Sequence, residues 1–165
     1  MNKQEGINLL DLLVVLILTT VLMSVAWPNY IGLLEQQRQT AELNRLQSIL
    51  QLARTLANLH QQNLTLCPTR NAKSCCSSSL AADLLLIDEN QRIVRYFPGH
   101  MTQIAFPEQD VILRPLPARG AGASLLPCSG FTQRSAKAIT LSTVGRPRVN
   151  PDPPSSLKSR CSTKL

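Results

Sequence analysis

The sequence predicts an α+β protein in which one long N-terminal helix packs on a mostly antiparallel β-sheet head. Two observations carry the prediction. No charged residue occurs from Leu12 to Leu34, and beyond it Leu43, Leu46, Ile49, Leu50, Ala53, Leu56 and Ala57 recur at the three- and four-residue spacing of one helix face. After His60 the chain changes to short apolar runs broken by Pro, Gly, Asn and Asp, the mark of strands and turns.

Taken in order, residues 1–6 are a short polar leader, 7–34 the apolar part of the helix and 35–60 its amphipathic continuation. The helix is expected from about residue 8 to 60 with a bend near Pro28, where a backbone hydrogen bond is lost. Residues 61–150 form the head, with strands expected at Asn63 to Leu66, Asp83 to Ile87, Gln91 to Phe97, Val111 to Leu116 and Lys137 to Val144. Asp88-Glu89-Asn90 reads as a hairpin turn, and Pro115, Pro117, Gly120 and Gly122 make the stretch before Cys128 a loop. Residues 151–165 form a Pro/Ser-rich basic tail.

From Leu12 to Trp27 only Thr19, Thr20 and Ser24 interrupt the apolar side chains. That segment and its extension to Leu34 are long enough for a bilayer span of about 20 residues. An ordinary cleaved signal peptide competes, because Ser24-Val25-Ala26 offers a small-x-small cleavage pattern, and so does a simple anchor. Asp11 argues against the signal peptide, since an ionisable group in such a stretch costs about 2.5–3.5 kcal/mol and marks function. Cutting after Gly6 gives Asp11 a use: it creates an amine on Ile7, one helical turn upstream. When apolar helices stack, the carboxylate of one subunit can then neutralise the amine of a neighbour.

Gly6-Ile7-Asn8-Leu9-Leu10-Asp11 resembles the type III prepilin signal of the type IV pilin-like superfamily, with Asp11 where the family has Glu and Ile7 where it usually has Phe. Pro28 matches the family's helix-kinking proline. The resemblance implies cleavage between Gly6 and Ile7 and N-methylation of Ile7 by a prepilin peptidase. It also implies Asp11-dependent assembly with other minor and major pilins or pseudopilins. The protein would be held in the inner membrane, N-terminus cytoplasmic and head periplasmic, and then enter a pilus or pseudopilus. Within the superfamily the head is most similar to FimT minor pilins and H-type pseudopilins. The carriers are Leu66-Cys67-Pro68, Cys128, and Ala138-Ile139 running into Gly145-Arg146-Pro147-Arg148; the family's Trp-Gly stretch is absent.

Five cysteines, an odd number, stand at Cys67, Cys75, Cys76, Cys128 and Cys161. No CxxC pair occurs and His60 and His100 lie far from any cysteine pair, so no metal site is expected. Disulfides suit an exported head with 4% aromatic residues and hence a light core. Cys67 is expected to pair with Cys75 or Cys76, and Cys128 with Cys161, the alternative being Cys161 as a free thiol on a loose tail. No cofactor is expected. No catalytic motif occurs, so no enzyme is expected; Ser77-Ser78-Ser79 and His100 read as loop and turn residues.

The net charge of +7 is uneven: residues 114–165 hold nine Lys/Arg against the single acid Asp152. Such a local excess suits an anionic partner, or a solvated tail at Lys158, Arg160 and Lys164. Within it, extended backbone around Pro147 would place Arg146 and Arg148 on one face about 6.6 Å apart, a spacing suited to neighbouring phosphates. Gly145 permits a tight turn, Pro147 stiffens it, and each guanidinium can grip phosphate oxygens bidentately. The FimT resemblance implies that Gly145, Arg146 and Arg148 contact DNA for uptake in natural transformation, with Lys137 and Arg134 as auxiliaries. The alternatives are an H-type pseudopilin of a type II secretion system and a pilus-priming subunit that touches no nucleic acid.

Overall fold

A computed structural model describes residues 9–76, 80–99, 102–117, 122–128 and 136–162. The chain divides into two compact units, Met1–Gln37 and Arg38–Leu165, and helix α1 (Leu9–His60) runs through both.

In the first unit α1 leaves its apolar side chains uncovered; Leu12, Val15, Leu18, Leu22 and Met23 are all exposed. The hydroxyls of this stretch are satisfied within the helix: Thr19, Thr20 and Ser24 donate to the carbonyls of Leu16, Ile17 and Val21 at 2.7–2.9 Å. Such back-bonding removes the need for water around a polar group in apolar surroundings. Among the described residues no single helix is long and apolar enough to cross a membrane. Leu12–Ser24 and Asn29–His60 pass that test together, with a bend at the break that contains Pro28.

The second unit takes in the amphipathic part of α1, two antiparallel sheets and a C-terminal helix. One sheet has the order β4-β3-β1-β6, from β1 (Leu64–Thr69), β3 (Asp83–Ile87), β4 (Ile93–Phe97) and β6 (Val111–Leu113). The other has the order β2-β5-β7-β8-β9, from β2 (Leu80–Ala81), β5 (Ile104–Ala105), β7 (Ala123–Pro127), β8 (Ala138–Leu141) and β9 (Pro147–Asn150). The predicted stripe of α1 is the one that packs. Leu43, Leu46, Ile49, Leu50, Ala53 and Ala57 join Leu64, Leu66, Leu84 and Leu86 of the first sheet and Leu125, Ile139 and Leu141 of the second in one core. The helix ends at an αL residue, Gln61 (φ 52°), and Gln62 N–H returns to the Ala57 carbonyl at 3.3 Å, closing the last turn.

Four strands and a helix depart from the expectation. β7 was expected as loop because Pro115, Pro117, Gly120 and Gly122 break the chain before Cys128, yet Leu125 and Leu126 are both fully buried, on opposite faces of its sheet. β2 and β5 are two-residue strands, too short to carry a period. The strand expected at 137–144 divides into β8 and a turn, after which β9 runs back along β8. The C-terminal segment is not a free tail: α2 (Ser155–Ser162) buries Leu157 and Cys161 against Ala105, Leu126 and Ala138. Lys158 pairs with Asp152 at 3.0 Å, and Arg160 reaches the Phe106 carbonyl at 2.6 Å and Glu108 at 2.8 Å.

The disulfides are Cys67–Cys75 and Cys128–Cys161, and Cys76 keeps a free thiol. The second bridge joins α2 to the end of β7, so the basic C-terminal segment is held covalently to the sheet.

Candidate nucleic-acid interface

The β8–β9 connection presents the arginine pair. Ser142 O accepts from Gly145 N–H at 2.7 Å, and Ser142 N–H donates to the Arg146 carbonyl at 3.0 Å. Gly145 sits between these bonds at φ +74°, the left-handed conformation that a three-residue hairpin loop requires before its second strand. The Ser142 hydroxyl accepts from Arg146 N–H at 3.1 Å and fixes the first residue after the turn. The β3–β4 hairpin has the same plan: Asp88 occupies the Ser142 position, and Gln91 takes the left-handed residue at φ 62°. Its Asp88 carboxylate is spent on the Asn90 and Arg92 amides.

Among the described residues β9 is an edge strand, paired with β8 alone. Its register sets Pro147 opposite Leu141, Arg148 opposite Thr140 and Val149 opposite Ile139. Because side chains alternate, Pro147 and Val149 share the core-facing side with Leu141 and Ile139. Arg148 lies on the other side beside Thr140, whose hydroxyl is 3.0 Å from that of Ser124 on β7. Arg146, two residues before it, falls on the same side, next to Ser142. α2 covers the Ala138 end of this side. The turn end is left to two exposed arginines and a row of hydroxyls.

Among the described residues the ion pairs are Arg45–Glu42, Lys158–Asp152 and Arg160–Glu108, so no acid neutralises Arg146 or Arg148. The auxiliaries need revision. Lys137 precedes β8, at the end away from the turn, four residues from Leu141 or about 14 Å along a strand. It does not join the arginine pair. Arg134, Gly6 and Ile7 lie outside the described residues, as do Ser77, Ser78, Ser79 and His100. Asp11 falls in the first turn of α1. A basic residue that the sequence reading missed stands beside the turn instead: the Arg54 side chain of α1 comes within 3.7 Å of where a Cβ on Gly145 would be. Nothing local in sequence links these two positions.

Other concave features carry different chemistry. A cleft of about 350 Å³ beside α2 is lined by Ser124, Leu157 and Arg160 but also by Glu108 and Asp110, which disfavour an anion. Among the described residues no group of three or more His, Cys, Asp or Glu is placed to hold a metal ion.

No protein-family model and no curated protein sequence matches the chain. Two crystal structures of the type IV minor pilin FimU of Pseudomonas aeruginosa do match in shape. In one crystal form the TM-score is 0.51 at 13% identity, covering 71% of this chain and 94% of that chain. In the other it is 0.52 at 12% identity, covering 72% and 91%. The fold is pilin-like. In this pilin-like head the long helix supplies one side of the core, and the β8–β9 turn is displayed at a sheet edge.

Proposed function

We propose that the chain is a minor type IV pilin of the FimT kind. It is cut after Gly6 and methylated on Ile7 by a prepilin peptidase, and passes from the inner membrane into a pilus through its apolar helix and Asp11. There its head captures extracellular DNA for uptake in natural transformation. One observation carries the DNA reading: Arg146 and Arg148 stand exposed on one side of an edge strand, behind a turn built on Gly145, with no acid neutralising either among the described residues. The pilin-like fold supports the assembly reading. Guanidinium–phosphate contacts carry no base information, and with 4% aromatic residues the chain has few rings for base stacking. Binding is therefore sequence-independent and weakened by salt.

The test is fluorescence anisotropy of a labelled duplex titrated with the full-length chain in a non-ionic detergent, at 50 and 200 mM salt, beside Arg146→Ala/Arg148→Ala. The parent is expected to bind and to weaken with salt, and the double variant to lose binding. Binding that the double variant leaves unchanged overturns the reading and leaves a secretion pseudopilin or a priming subunit as the better account.

A further inference from the structure

Arg54 stands apart from the other half-buried arginines of the head. Arg45 gives its guanidinium to the Glu42 carboxylate at 3.1 Å and to the Pro98 carbonyl; Arg160 gives its own to Glu108 and to the Phe106 carbonyl. Each of these cations is fixed by one carboxylate and one backbone carbonyl, the arrangement expected of an arginine that holds structure together. Arg54 is half-buried as they are, yet among the described residues it has neither. Its neighbours one turn away on α1 offer no charge. Leu50 and Ala57 are fully buried, Gln51 is neutral, and the Asn58 side-chain oxygen is taken by Leu116 N–H at 2.9 Å.

What Arg54 does meet is the bare backbone of the turn. Its Nε and Cδ lie 3.7 and 3.8 Å from the Cβ position of Gly145, so the absent side chain leaves the guanidinium against the tip of the hairpin. With a Cα–Cβ bond of about 1.5 Å, the Arg54 Nε falls within roughly 5 Å of Gly145 Cα, and Arg146 Cα is about 3.8 Å further along the chain. Helix α1 packs on the side of the sheet that Ile139 and Leu141 face, while Arg146 and Arg148 lie on the other side of the same edge. Arg54 is thus a third arginine at the turn end of this sheet edge, and among the described residues none of the three is in an ion pair.

We infer that Arg54 is a third phosphate-binding residue of this site, so that a DNA backbone crosses the tip of the β8–β9 turn with Arg54 on one side and Arg146 and Arg148 on the other. The inference rests on the DNA reading above and adds a helix residue to it. A phosphate contact at Arg54 has a signature that a merely supporting role lacks. Each contact contributes about 0.9 to the slope of log K against log salt on duplex DNA, so the slope counts contacts whatever the absolute affinity. Between 50 and 200 mM salt three contacts lose about 40-fold in affinity and two lose about 12-fold.

The experiment measures that slope for the full-length chain in non-ionic detergent on a labelled duplex. The proteins are the parent, Arg54→Gln, Arg54→Lys and Arg146→Ala/Arg148→Ala, with melting temperatures recorded to confirm folding. Arg54→Gln is expected to weaken binding several-fold at 50 mM salt and to make the slope shallower by about 0.9, with Arg54→Lys restoring the slope because it keeps the charge. An unchanged slope for Arg54→Gln overturns the inference alone if the double variant loses binding. In that case Arg54 supports the turn or stands idle, and the arginine pair remains the site. A double variant that binds like the parent overturns the DNA reading itself and this inference with it.

Discussion

Removing the Cys128–Cys161 bridge by Cys128→Ala/Cys161→Ala should destabilise the head by about 3–4 kcal/mol. The bridge joins residues 33 apart. Closing a loop of that length removes about 12.5 cal/mol/K from the unfolded chain, or about 3.7 kcal/mol at 25 °C. The folded side loses less, because α2 keeps Leu157 in the cluster with Leu126 and Ala138 and keeps Arg160 on Phe106 and Glu108. The assay is urea unfolding of parent and variant, both carrying Cys76→Ser so that no free thiol reshuffles the remaining bridge. Near-ultraviolet circular dichroism is the probe, since the one tryptophan, Trp27, lies in the first unit and does not report on the head. The midpoint is expected to fall and the denaturant slope to rise slightly as the unfolded chain expands. A loss below about 1 kcal/mol would refute the reasoning, for it would mean that the bridge constrains a segment already ordered in the unfolded ensemble.

Two further outcomes follow from single positions. Gly145→Ala should lower head stability by about 1–2 kcal/mol in thermal melts through backbone strain alone, since φ is +74° and the new methyl meets Arg54 only at ordinary contact distance; no change would mean that the turn relaxes out of the left-handed conformation. The Tyr96 phenol is held above its ordinary 10.0 first by burial, then by the charge of Asp83 and a hydrogen bond to it. Its ionisation in a Tyr30→Phe background, followed by phenolate absorbance, should have its midpoint above 10.0 and move down in Asp83→Asn. A native pKa above the unfolded one means that this contribution to stability is full below pH 10.0 and is lost as pH rises through the native value. Identical curves with and without Asp83 would refute the assignment.

The helical part of the fold was legible in the sequence because its signal is periodic and local. The apolar stretch from Leu12, the stripe from Leu43 to Ala57 and the turn residues Asp88 to Asn90 each specify their conformation from neighbours within a few positions. The tight turn at Gly145 was legible for the same reason, whereas β9, the strand that follows it, was not, because it forms only by pairing back on β8. β7 was not, since its residues become a strand only between the β5 and β8 partners that complete its ladder. Nor was α2, whose apolar anchors Leu157 and Cys161 find their burial against strands far upstream.

The site divides along the same line. The sequence by itself determined that a basic, glycine-started arginine pair exists and that a helix stripe and a β-rich segment must build one core, because charge, backbone permission and hydrophobic period are properties of adjacent residues. Only the tertiary structure decided which other cations share that corner. It sets Lys137 about 14 Å of strand away from the turn. It also brings the Arg54 side chain of α1 against Gly145, a glycine that no sequence spacing connects to it.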